Sequence, residues 1–121
     1  MANVTVFDIS GGKARVIPAA DIAAAQEAQT VPVGKDSRLA LRVANGNAEA
    51  IIARIKAGDG PRAPLGDNDV TVAANAAAYI ALYDTARYKS GGVVTVHLMA
   101  DEDTPLGAAE RANVTIEAVQ L

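Results

Sequence analysis

A period of two runs through this chain and limits it to strands. In Ser37–Asn45, read SRLALRVAN, Leu39, Leu41 and Val43 fall on one side and Arg38, Ala40 and Arg42 on the other. Successive side chains of a strand point to opposite faces, so this alternation marks a strand with one buried face. Asn45, Gly46 and Asn47 follow. Asn-Gly is a hairpin signal because both residues tolerate positive φ, which predicts a tight turn into AIIARIKA. There Ile51, Ala53 and Ile55 line the core, Arg54 and Lys56 lie outside, and Ile52 sits on the outer face. The pattern recurs downstream. DVTVAA pairs Val70 with Val72 and AYIALY pairs Ile80 with Leu82. GVVTVHLMA sets Val94, Val96 and Leu98 against Thr95 and His97, and NVTIEAVQL pairs Val114 with Ile116. At the front, NVTVFDI and KARVIP read as two strands around a Gly11-Gly12 turn.

About eight short strands separated by glycine-rich turns predict an all-β chain. The expected fold is one domain over residues 1–121, an antiparallel β-sandwich of immunoglobulin-like or jelly-roll-like form. Two segments break the pattern. AADIAAAQEA, residues 19–28, is alanine-rich with Asp21 placed to cap a short helix, and the alternative is a loop over one end of the sandwich. DEDTPLGAAERA, residues 101–112, is a long polar connection with room for one helical turn.

Composition narrows the function. Hydrophobic residues are 50% of the 121 but aromatic ones only 3%, so the core is light and built from aliphatic side chains. The formal net charge of −3 leaves no basic excess to neutralise phosphates, which argues against nucleic acid. The absence of cysteine removes disulfides, thiolate metal ligands and cysteine nucleophiles. No apolar run approaches the roughly 18 residues of a membrane-spanning helix, and MANVTVFDIS lacks a basic segment followed by an apolar one. A soluble protein without membrane contact is expected.

The stretch richest in special residues is IKAGDGPRAPLGDNDVTV, residues 55–72. It lacks the Gly-Lys-Ser/Thr ending of a phosphate loop, Pro61 and Pro64 remove backbone donors, and a strand pattern rather than a helix follows. Asp59, Asp67 and Asp69 are hard oxygen ligands that calcium could use, but their spacing fits no EF-hand, and aspartate is a common turn residue. His97, the single histidine, alternates with core residues and has no nucleophile assigned to it. No catalytic, cofactor-binding or metal-binding residue is therefore expected. The candidates left are for a partner interface: Pro61, Arg62, Pro64 and Leu65 in the stiff loop, and Tyr79, Tyr83 and Tyr88 in AYIALYDTARYKSGG, with one of the tyrosines free to fill a thin core instead. Arg62, between prolines, suits a carboxylate on a partner, and Arg87 is placed to brace the YDTARYK corner against Asp84.

Residues 57–98 add a resemblance. GDNDVTV, YIALYDTARYK and SGGVVTVHL resemble, in order, pieces of small β-sandwich head decoration (cement) or minor virion structural proteins of tailed bacteriophages. Upstream, QTVPVGKDSRLALRVANGN resembles the strand of that family that enters its Asn-Gly turn, and NVTIEAVQL fits its last strand. The chain departs from the family pattern at AANAAA, where Pro-Ala-Gly is common, and at Ala81-Leu82-Tyr83, where Gly-Pro is common. The resemblance implies a non-enzymatic protein made in the host bacterial cytoplasm and carried on the capsid exterior. Its implied partners are the major capsid protein and further copies of itself. Another virion role in the head fibre, neck or tail, and a general adhesion or carbohydrate-binding module, are the alternatives.

Overall fold

The computed structural model describes residues 2–12, 28–34 and 36–121. Ten strand segments are found among them. The first six are β1 (Ala2–Asn3), β2 (Val6–Asp8), β3 (Ala28–Pro32), β4 (Leu39–Asn45), β5 (Ile51–Ile55) and β6 (Asn68–Val72). The other four are β7 (Ala76–Leu82), β8 (Lys89–Ser90), β9 (Val93–Met99) and β10 (Val114–Gln120). Single helical turns α1 (Thr85–Tyr88) and α2 (Ala108–Arg111) interrupt them. The second turn falls inside the polar connection at residues 101–112, where one was expected. The KARVIP strand and residues 19–27 of the expected helix or loop lie outside the described residues; Ala28 opens β3.

The strands form two sheets, one in the order β1-β3-β9-β5-β6, with β8 also on β9, and one in the order β2-β10-β4-β7. Their pairing is nested: β5 with β6, β4 with β7, β3 with β9 and β2 with β10. Nested pairing across two facing sheets is the winding of a jelly roll, and it separates the two sandwich forms that alternation alone left open. One feature departs from an all-antiparallel roll. β1 runs parallel to β3 and β2 parallel to β10, so both sheets are mixed. The expected NVTVFDI strand is thus two: Val4 N donates to Thr30 O at 2.8 Å in the first sheet, and Ile9 N donates to Gln120 O at 2.9 Å in the second.

The inner faces carry the residues that the alternation selected. Leu39, Leu41, Val43, Ile51, Ala53, Ile55, Val72, Val94, Val96, Leu98 and Val114 are all nearly or fully buried. Each large aliphatic side chain contributes about 1.5–3 kcal/mol of burial, which offsets the scarcity of aromatic residues. Val70 packs against this cluster from its edge.

The Asn-Gly hairpin does not form. β4 and β5 belong to different sheets, and neither Asn45 nor Gly46 has positive φ. Gly46 prolongs the ladder to β10, its N–H donating to Asn113 O at 2.8 Å. The Asn45 side chain works inside the crossover. It is 2% exposed, its amide nitrogen donates to the carbonyls of Glu49, Val72 and Ala73, and its oxygen accepts from Asn47. The tight two-residue turn comes at Gly91-Gly92 between β8 and β9, where φ is +60° and +79°, as a type I′ turn requires.

Candidate partner interface

The two outer faces of the sandwich differ in chemistry. On the β5–β6 side, Arg54 forms a two-pronged pair with Asp69 at 2.8 and 3.0 Å and donates to Glu102 O at 2.9 Å. Lys56 meets Asp67 at 2.8 Å, and half-buried His97 is the cross-strand neighbour of Arg54. This face is charged and internally paired. On the β4–β7 side, Ala40 and Ala44 lie beside Ala81 and Ala77 in register. A single ridge, Glu117–Arg42–Tyr79, crosses this side. Arg42 bonds Glu117 at 3.0 Å and its guanidinium stands 5.9 Å from the centre of the Tyr79 ring. Shallow depressions flank the ridge, one of about 390 Å³ bounded by Ala44, Asn75, Ala77 and Thr115, the other of about 70 Å³ bounded by Ala40, Tyr79 and Val119.

At one end of the sandwich the 56–67 loop folds over the β7–β8 corner. Residues Ala63–Leu65 make a 3-10 turn with Pro64 inside it, and Pro61, Pro64 and Leu65 are exposed. The Arg87 expectation needs correction here, while Arg62 stays 56% exposed at its side chain. Arg62 meets an intramolecular carboxylate, its Nε donating to Asp84 at 2.8 Å. With Asp84 taken, Arg87 turns the other way and donates to the carbonyls of Leu65, Gly66 and Asp67 at 3.3, 2.8 and 3.0 Å. It also lies 5.0 Å from the centre of the Tyr88 ring. The reason is reach: the carbonyls at the loop's end converge on one planar guanidinium, which has donors enough for all three. Gly58 completes the seam. Its N–H donates to Arg87 O at 2.9 Å, and a β-carbon there would lie 2.2 Å from Lys89 O.

The three loop aspartates are engaged separately. Asp59 accepts from Ser90 Oγ at 2.8 Å, Asp67 from Ala57 N–H at 2.7 Å as well as from Lys56, and Asp69 from Arg54. Among the described residues no three histidine, aspartate or glutamate side chains are grouped to share a metal ion. The hydrogen bond from Arg54 holds the Asp69 carboxyl below the usual carboxylate range. At Asp67 partial burial pushes upward, yet the bonds from Lys56 and Ala57 outweigh it and the net direction is down. Asp36 is lowered by its bonds from Lys89 and Thr85.

The tyrosines separate. Tyr88 is 6% exposed and belongs to the core, so it leaves the interface set. Tyr79 and Tyr83 are 80% and 72% exposed, and Leu65 is 57% exposed. The Arg62–Asp84 pair ties the Pro61–Leu65 turn to the end of β7, so Leu65 and Tyr83 belong to one end of the molecule. Arg42 and Glu117, which hold the Tyr79 ridge, were not among the residues singled out from the sequence. Alternation places both outward, but only the register Tyr79–Arg42–Glu117 across three strands brings them together. No protein-family model, curated protein or solved structure matches this chain.

Proposed function

We propose that this chain is a bacteriophage capsid decoration protein, bound to the outside of the head and stabilising it by bridging capsid subunits. One observation carries the reading. The three segments that resemble the decoration and minor virion proteins form a single braced unit in space. GDNDVTV ends the loop and enters β6, YIALYDTARYK supplies β7, α1 and the start of β8, and SGGVVTVHL is the turn and β9. Arg87 of the second segment holds the carbonyls of Gly66 and Asp67 in the first, and β8 pairs with β9 of the third. The unit presents Leu65 on a loop that its own bonds hold in place and Tyr83 at the end of β7, to which the Arg62–Asp84 pair ties that loop. Prefixing a loop in this way lowers the entropy lost on docking, and exposed tyrosine offers large contact area with a polar tip.

The test is binding to heads. Purified protein added to preassembled heads that lack it should cosediment to saturation and raise the temperature at which the shell opens. Leu65→Asp and Tyr83→Ala should each weaken that binding by about tenfold or more, as central interface residues do. Association with tails and not with heads, or shells that open at the same temperature with and without the protein, overturns the proposal.

A further inference from the structure

Strand β7 is one of the two outer strands of its sheet, and its open side can be assigned residue by residue. Gly46 N donates to Asn113 O at 2.8 Å and Leu121 N to Arg38 O at 2.7 Å, which fixes the even-numbered residues of β4 as those bonded to β10. The backbone groups of odd-numbered β4 residues therefore face β7, since each residue of an antiparallel strand directs both groups to one side. In the register Leu41–Ile80 and Val43–Ala78, it is Ala76, Ala78, Ile80 and Leu82 that bond to β4. The N–H and C=O groups of Ala77, Tyr79 and Ala81 are left pointing outward, and no described residue bonds them. Edge strands are normally guarded by charge, proline or a bulge. β6, an outer strand of the other sheet, carries Asp69 paired to Arg54. β7 has no such guard: from Ala73 to Tyr83 the chain holds neither a charged residue nor a proline.

We infer that β7 is a self-association edge, on which a second copy of this chain adds its own β7 antiparallel about a two-fold axis through Tyr79. A second copy is the occupant that fits. Tyr79 is the central residue of Ala76–Leu82, and the outward sequence Ala77, Tyr79, Ala81 reads the same in both directions. The two-fold sets Tyr79 opposite Tyr79 and Ala77 opposite Ala81, so every free N–H of the three residues finds a carbonyl. The alanines leave room for the two tyrosine rings to meet, a favourable cross-strand pair. Each ring keeps its Arg42, whose charge Glu117 already answers. Each copy carries a net charge of −3, yet the uncharged Ala73–Tyr83 strip brings no like charges together across the axis. Tyrosines bury roughly 150–250 Å² each when fully covered. Tyr79 from both copies, with the paired strands and their flanking alanines, makes a contact at or below about 1,000 Å², the lower end for a specific interface. Contacts of this size are characteristically weak, and self-association with a Kd on the order of 10–100 µM is expected.

The chain has no cysteine, so single cysteines report the register directly. Opposed residues of a hydrogen-bonded antiparallel pair stand about 5.5 Å apart at Cα, within disulfide reach. Under mild oxidation Tyr79→Cys should give a covalent dimer. Ala77→Cys and Ala81→Cys should not, because each copy's own residue would be about 14 Å from its twin at a strand rise of roughly 3.4 Å per residue. In sedimentation velocity the 121-residue chain should shift from monomer to dimer across that concentration range. Tyr79→Lys should weaken that dimer by about tenfold or more while the monomer keeps the wild-type circular dichroism spectrum. Thr71→Lys on β6 should leave it intact. A chain that stays monomeric throughout, a dimer indifferent to Tyr79→Lys, or equal cross-linking at residues 77, 79 and 81 overturns the inference. Pairing of β7 with a strand from another protein would appear as the first of these outcomes.

Discussion

Arg87 answers three carbonyls with one side chain, and that makes it the residue on which the exposed loop depends. Its guanidinium reaches the carbonyl oxygens of Leu65, Gly66 and Asp67. Arg87→Ala strips these partners together and should lower unfolding free energy by about 1–3 kcal/mol, the range for hydrogen bonds to a charged group. Arg87→Lys should recover less than half of that, because an ammonium is a compact point donor without the planar fork. Urea denaturation of the three proteins checks both statements. The role of this residue was half legible. A basic residue in a polar corner reads as a brace, and it is one. Its partner was misread, because the sequence places Asp84 three positions away while the fold delivers the carbonyls of residues 65–67 and gives Asp84 to Arg62. Local spacing ranks neighbours along the chain; the tertiary path decides which acceptor is in reach.

At the scale of elements, the β5–β6 hairpin carries the pH response. Asp69 and Asp67 are both held below the usual carboxylate range by Arg54, Lys56 and the Ala57 N–H. A carboxyl whose folded pKa lies below its unfolded value, near 4, contributes fully above that value and loses the contribution as pH falls through the folded pKa. Asp69→Asn should therefore cost up to about 1 kcal/mol at neutral pH, limited by the solvent exposure of the pair. The cost should shrink as the pH is taken from neutral into the acid range below about 4, and in high salt. Thermal melts of wild type and variant at neutral and acid pH, at low and high salt, give the answer; a difference that persists unchanged in acid would remove the ion pair as its cause. β7 shows what strand reading can and cannot do. Ile80 and Leu82 were assigned inward correctly from their spacing. That β7 stands at the edge of its sheet is a matter of neighbours, which alternation does not encode.

Across the whole molecule, the two sheets share one core. Leu98 on β9 is fully buried in the same cluster as Leu41 on β4 and Ile116 on β10. Leu98→Ala should cost about 2–5 kcal/mol, the transfer loss plus the cavity left behind. Because that loss falls on both sheets, amide exchange should accelerate in β4 and β10 as well as in β5 and β9, read by hydrogen-exchange mass spectrometry of the corresponding peptides. Acceleration confined to β5 and β9 would mean that the sheets unfold separately.

What the sequence determined by itself is the set of faces. A strand's side chains alternate as a matter of backbone geometry, so Leu39, Leu41, Val43, Ile51, Ile55, Val94, Val96 and Leu98 could be assigned to the core without knowing any strand's partner. Strong turn chemistry was equally local at Gly91-Gly92, where two positive φ values need residues without a β-carbon. The tertiary structure alone decided the order in which those strands meet. It turned the expected Asn45-Gly46 hairpin into a crossover between sheets, where the buried Asn45 amide bonds the carbonyls of Glu49, Val72 and Ala73. It also placed Tyr88 inside and left Tyr79 outside on an open edge. These outcomes depend on contacts between residues distant in sequence, and a period-two pattern is the same whichever strand lies alongside.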